Sequence, residues 1–299
     1  YRAAEMAFKR KNWNEAKKEM KNFIRDYEKD KGASELIVQA YWRIAESTTR
    51  TNKRDYLNAL RDVVSAYKRV GAKSGSIAAE YAAEADFILV DQTIADFEKY
   101  EVNPGKPKTM KDYVDALKKQ IDSGAKEAQS LVKGYEPIPS YGRPAWTVAA
   151  LVRQGRVYEV LARAILNAKF VMPADLQKQL KRMDEFQRED IRFEVEGAVQ
   201  QVLDQRVRPV ECFAVARYAL AARAAQAGSL DTEFTQIAVD RLQAYGDERI
   251  GECIAEAQKN DPNFASYRPG EFTRAPRGKL MSMPADVAPP PLATQGGGR

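Results

Sequence analysis

The side chains able to do chemistry in this sequence fall into three groups. Cys212 and Cys253 are its two thiols, 41 residues apart in the semi-apolar stretches VECFAVA and IGECIAEA. In an oxidising compartment they could be bridged, closing a loop whose constraint stabilises by roughly 3–4 kcal/mol. Each also reads as a small buried apolar residue, and both readings stay open. Glu185/Glu189 and Asp190/Glu194, within DEFQREDIRFEVE (184–196), set carboxylates one helical turn apart, and paired carboxylates can hydrolyse glycosides. Arg182, Arg188 and Arg192 interleave with them, so a solvated, ion-paired helix is the preferred reading. The third group is basic: Lys9, Arg10, Lys11, Lys17, Lys18 and Lys21, with Phe8 and Trp13 nearby. Such a set could track phosphates with aromatic stacking, steer an acidic protein face, or simply solvate amphipathic helices. No recognised nucleic-acid motif accompanies it.

Histidine is absent, which removes the commonest general base and the commonest metal ligand together. Two thiols alone leave a metal shell short. The expectation is therefore no enzyme, no catalytic, cofactor-binding or metal residue, and no cofactor.

These groups must be held by something. The 299 residues are 44% apolar and 30% charged, ample for a real core. The most apolar stretch, 145–168, is broken by Arg153, Arg156, Glu159 and Arg163, so no membrane span is expected. The formal charge of +6 is uneven: residues 1–70 hold 17 Lys/Arg against 10 Asp/Glu, a net of +7, which leaves −1 for the other 229. A field so localised suits an anionic partner. The chain opens on Tyr1 already in helical phase, which reads as a mature form or an internal fragment, so a missing signal peptide says nothing of compartment.

The apolar spacing is helical throughout, and no strand is expected. Two helices share the first 30 residues, broken at Asn12-Trp13-Asn14, where Asn14 with Lys17 lacks the acid of a capping box. Helices follow from about 34, after Asn52, from Ser76 to Tyr100 and from Met110 to Lys133, with NPGKPK (103–108) and 134–144 as loops. Pro144 opens the small-residue helix 145–168. Pro173 opens the run 173–206, one helix or two hinged near Gly197; Pro209 starts another, ended by Gly228-Ser229. Two short helices, 231–244 and 247–258, end the ordered part. The remainder, rich in Pro and Gly, reads as an extended or disordered tail, PADVAPPPLATQGGG having the make-up of a spacer or docking segment.

Short loops and a period of roughly 35–40 residues in the first half are the signature of an α-solenoid. In NWNEAKKEMKNFIRDY, Glu15-Ala16 and Phe23 resemble the second helix of a tetratricopeptide repeat; Ala59 and Tyr67 fit more loosely, and the first helix offers Ala4 and Ala7 without the usual Leu-Gly. AWTVAALVRQGRVYEVLARAILNA, with Trp146, Ala149, Ala150, Leu151, Gly155, Tyr158, Glu159, Asn167 and Ala168, is similar to the C-terminal region of large tetratricopeptide proteins of the bacterial envelope, those of myxobacterial gliding-motility machinery. That resemblance implies a periplasmic, outer-membrane-associated scaffold and no catalytic residues. The small residues of this stretch would let helix backbones come close, and Trp146, Val157, Leu161 and Ile165 would fill the gaps between layers.

The expected architecture is thus all-α: a solenoid of antiparallel helix pairs, with 1–133 tetratricopeptide-like, 144–258 a further helical region packed on it, and 259–299 a tail. The expected function is a protein–protein interaction scaffold, with partner contacts at Lys9, Arg10, Lys11, Trp13, Lys17, Lys18 and Lys21. The alternative is a cytoplasmic helical-repeat protein that binds nucleic acid or a regulatory partner through the same basic helices.

Overall fold

The computed structural model describes residues 1–49, 52–260, Phe264 and Leu280–Met281. Eleven α-helices account for most of it: α1 (Arg2–Lys9), α2 (Trp13–Tyr27), α3 (Ser34–Thr48), α4 (Lys53–Val70), α5 (Ile77–Phe97), α6 (Met110–Tyr135), α7 (Pro144–Leu166), α8 (Ala174–Leu180), α9 (Glu185–Ala227), α10 (Glu233–Tyr245) and α11 (Asp247–Asn260). The fold is all-α. Its one departure among the described residues is a two-residue parallel pairing of β1 (Asp231–Thr232) with β2 (Leu280–Met281), where no strand was expected. Most of the predicted tail lies outside the described residues.

Side-chain caps start the helices where the sequence offers an oxygen. Asn52, Ser76 and Thr232 each accept from a main-chain N–H three residues on, and Thr109 with Asp112 completes a capping box. The α1–α2 junction differs from the reading that centred on Asn14. Asn12 is the cap, accepting from the Glu15 N–H at 3.4 Å, and its own amide donates to the Glu15 carboxylate at 2.6 Å.

The larger correction concerns 173–227. The break falls at 181–184, not at Gly197, because Asp184 and Gln187 form a capping box that starts a new helix. Pro209 does not open a helix; it lies inside the 43-residue α9. Proline removes one main-chain donor there, the one that would serve Gln205. Both Pro209 and Gln205 are exposed, so water can satisfy the orphaned carbonyl and the helix continues.

From α1 to α5 each helix packs on the next, and α3 also touches α5. α6 runs antiparallel to α5, since Gly134 meets Val90 and Gly124 meets Tyr100. α7 then returns parallel to α5: Glu80 pairs with Arg143, Asp91 with Arg153 and Glu98 with Arg156. α9 lies antiparallel on α7, where Tyr218 covers Gly155 and Phe213 meets Tyr158 at 5.3 Å between ring centres. α10 packs on both α7 and α9, and α11 on α9. A small apolar cluster under α1–α3, around Met20, Phe23 and Ile37, adjoins one large core that runs from α3 to α11.

Gly155 is required by that packing. A Cβ there would stand 2.9 Å from the Tyr218 ring, closer than carbon atoms approach. The expectation that α7 is pure packing needs amendment, however. Arg153 and Gln154 are as buried as its alanines, and Arg156 and Glu159 nearly so. On α5 the matching stripe is acidic, with Glu80, Glu84, Asp91 and Glu98 spaced by four and seven residues. Arg143 and the Trp146 indole meet Glu80, Arg153 meets Asp91 at 2.7 Å, and Arg156 meets Glu98 at 3.0 Å. Tyr135 also donates to Asp91, at 2.9 Å. A polar seam thus runs through the α5–α7 contact.

Arg153 has a side chain only 7% exposed, so Asp91→Ala leaves a guanidinium buried and unpaired. That loss is expected to cost about 3–5 kcal/mol in urea unfolding followed by circular dichroism. Arg25→Ala, which breaks a pair with a 72% exposed arginine, should stay within about 0.5 kcal/mol. Glu84 has no arginine opposite it among the described residues. Burial, then the nearby Glu46 and Glu80 carboxylates, push its acid up to about 8. A raised acid is protonated in the folded chain where the unfolded chain has already ionised, so its contribution is full below the ordinary carboxylate range and falls as pH rises through about 8. Stability should therefore decline by up to about 1.4 kcal/mol per pH unit across that window relative to Glu84→Gln, which removes the slope. Parallel urea titrations of the two chains at several pH values would measure it.

Candidate functional surfaces

Each chemistry-bearing group can now be placed. Lys9, Arg10 and Lys11 close α1 and form the turn into α2, and Lys17, Lys18 and Lys21 follow along α2, so the six cations run from that turn to the middle of α2. Lys9, Arg10, Lys11, Lys18 and Lys21 are exposed; Lys17 and Trp13 are half-buried. The neighbouring aromatics do not form a stacking platform. Phe8 packs edge-on against Trp13 at 5.2 Å, and the Arg43 guanidinium covers its ring at 4.7 Å. Arg43 is held there by Glu5 and Glu46 at 3.0 and 2.6 Å.

The acidic stretch 184–196 forms the first turns of α9, and its carboxylates are exposed. Their expected pairing with Arg182, Arg188 and Arg192 does not form among the described residues: Arg188 Nε donates instead to the Asp184 carbonyl at 3.3 Å. Glu189 and Asp190 line, with Phe186, Gln187 and Phe193, an open hollow of about 430 Å³ on the outside of the helix. Two aromatic side chains stand out on the same stretch, Phe186 at 89% and Phe193 at 80% exposure. The sequence reading treated 184–196 as charge alone and passed over both; their seven-residue spacing was the signal.

Cys212 on α9 and Cys253 on α11 are joined by a disulfide, with Cα atoms 4.6 Å apart. Ion pairs brace the same junction: Arg249 meets Glu211 at 2.6 Å and Glu252 at 3.0 Å, and Arg208 meets Glu252 at 3.1 Å. Beside the disulfide lies a groove of about 490 Å³, floored by Pro209, Phe213 and Leu220 and edged by Arg217 and Glu256. Phe264, itself 2% exposed, lines it, held by a 3.0 Å bond from the Gln258 amide to its carbonyl.

A second, more polar cleft of about 410 Å³ lies between the 98–103 turn and the end of α7, where Arg163 donates to the Glu98 carbonyl at 3.0 Å. Among the described residues no three acidic or thiol side chains are grouped to hold a metal. Among the described residues no helix is long and apolar enough to cross a membrane.

The disulfide closes a 41-residue loop, so opening it should loosen α11 first. Cys253→Ser is expected to lower unfolding stability by up to about 4 kcal/mol on the loop-entropy scale. Amide exchange should quicken in 247–260 before it does in α7; uniform exchange across both would contradict the assignment of the bond to holding α11. Comparison with family models, with curated proteins and with solved structures found no match to this chain.

Proposed function

We propose that this chain is a non-catalytic scaffold that holds partner proteins on a preformed helical surface. One observation carries the reading. Apart from Glu84, the charged groups buried in the body are met by countercharges or phenols, as at Asp91–Arg153, Glu98–Arg156 and Asp86–Tyr141, whereas among the described residues the unpartnered charge and aromatic area lie mostly outside. Side chains committed to packing are poor candidates for turnover, and exposed aromatic or concentrated cationic patches are typical of docking sites.

The tetratricopeptide-like solenoid belongs to this proposal. The sequential packing of α1 to α5, with α3 also on α5, is the neighbour pattern of stacked helix pairs. Of the residues that carry the resemblance in the first pair, Ala4, Ala7, Ala16 and Phe23 are buried and Glu15 is exposed. A periplasmic, outer-membrane-associated setting is likewise proposed, and the Cys212–Cys253 disulfide supports it, because such bonds persist in oxidising compartments.

Binding of nucleic acid in the cytoplasm is the competing reading, favoured by the exposed cations of α1 and α2. Against it stands Phe8, whose ring is covered by Arg43 and so is closed to a base. In-cell crosslinking followed by mass spectrometry separates the two. Envelope proteins linked to residues 9–21, together with blocked thiols on alkylation, are the expected result. A catch that disappears on nuclease treatment, with both thiols free, would overturn the scaffold reading.

A further inference from the structure

Residues 185–198 open α9 as an arm. Val199 is the first buried side chain of the helix, and before it only Ile191 and Val195 are half-covered. Fourteen residues at 1.5 Å each reach about 21 Å. A free helix of that length is marginal in water. This one starts on the Asp184–Gln187 capping box and runs into an already packed helix, so it needs no nucleus of its own.

Phe186 and Phe193 stand seven residues apart and so share a face, with Asp190 between them and Gly197 beyond on the same stripe. Among the described residues nothing lies within 4 Å of a Cβ built on Gly197. Two rings at 89% and 80% exposure on one stripe form an apolar face that no other described residue covers. Its surroundings are acidic: residues 184–196 carry six carboxylates, two arginines and a net charge of −4.

The rest of the chain holds the complement. Residues 1–70 net +7 while the remainder nets −1, so the positive field belongs to the first four helices. The same helices expose apolar side chains of their own, Met6 at 54%, Tyr27 at 49% and Leu36 at 40%. We propose that the Phe186/Phe193 face of α9 docks on the basic N-terminal helices of a second copy of this chain, so that copies associate head to tail. Charge sets the approach and register, and the two rings supply the buried area. The contact uses two different surfaces, so each associated pair leaves one of each free and can extend into a chain or close into a ring. The inference rests on reading α1–α2 as a protein-docking surface, and narrows its occupant.

Sedimentation velocity of the purified chain tests it. Assembly should grow with protein concentration at low salt and weaken as salt rises. Phe186→Ser/Phe193→Ser should weaken it at least tenfold, and so should Lys11→Glu/Lys18→Glu/Lys21→Glu. All five positions are exposed, so each variant should keep the native circular dichroism. The reciprocal variant Glu185→Lys/Glu189→Lys/Asp190→Lys, weak by itself, should associate again when mixed with the lysine-to-glutamate variant. That rescue excludes simple damage to the fold. A monomer at every concentration and salt, assembly indifferent to the phenylalanine changes, or failure of the mixed pair would each overturn the proposal. If residues 9–21 nevertheless crosslink to another envelope protein, the scaffold reading survives and only the second-copy assignment falls.

Discussion

Arg153 carries a full charge to a place where only 6% of the residue meets water, and a lone guanidinium cannot stay there. Asp91 must therefore come with it, and with Asp91 the whole of α5, which fixes how α5 and α7 lie against each other. Apolar surface alone would let two such helices slide or rotate, because alanine and valine faces look much alike at successive turns. The pairs at Glu80, Asp91 and Glu98 allow one register. Tyr135 binds α6 into the same arrangement through the Asp91 carboxylate, and the Arg153 guanidinium lies 5.5 Å from the Phe234 ring, so α10 is drawn in as well. Buried ion pairs add little net stability over an apolar substitute, but breaking one is costly, which suits a device for register.

On the other side of α7 the constraint is steric. Gly155 lets the Tyr218 ring of α9 lie directly on the helix backbone, and the alanines of both helices keep their axes close. α9 is further braced along its C-terminal half by α10 and by α11, the latter through the Cys212–Cys253 disulfide and the Arg249–Glu211 pair. Its N-terminal turns extend beyond the body, and Pro209 does not interrupt the helix because its position is solvated. The length of α9 is thus settled by two local facts, a capping box at 184 and an exposed proline at 209.

These two packing modes separate the molecule into an interior whose polar groups are largely matched and a surface where charge and aromatic area stand unmatched. Glu84 departs from that matching, a carboxyl near Glu46 and Glu80 with no cation opposite among the described residues and so pushed toward its neutral form, and the buried Tyr113 hydroxyl and Gln154 side-chain oxygen also lack a hydrogen-bond partner there. Outside, the basic end of α1–α2 and the acidic, phenylalanine-bearing arm of α9 are far apart in the chain and opposite in character. That contrast, more than any cavity, is why the molecule is read as one that binds proteins.

Local chemistry determined the helices. Asn52, Ser76, Thr109 and Pro144 start elements because a side-chain oxygen or a fixed φ serves the first turn wherever that turn occurs, and helical apolar spacing marks the faces that bury Met20, Leu60, Leu117 and Leu161. The cap at Asp184 was equally local but was outweighed by the prolines, whose effect depends on whether the carbonyl they orphan meets water; only burial decides that. Which acid met which arginine was settled by the tertiary structure alone. Glu80, Asp91 and Glu98 lie about 60 residues from their partners, and periodicity says that they share a stripe without saying what faces it. The exposure of Phe186 and Phe193 was hidden for the same reason. An aromatic pair at helical spacing is normally a core face, and only the absence of a neighbouring helix, a property of the whole fold, leaves it in water.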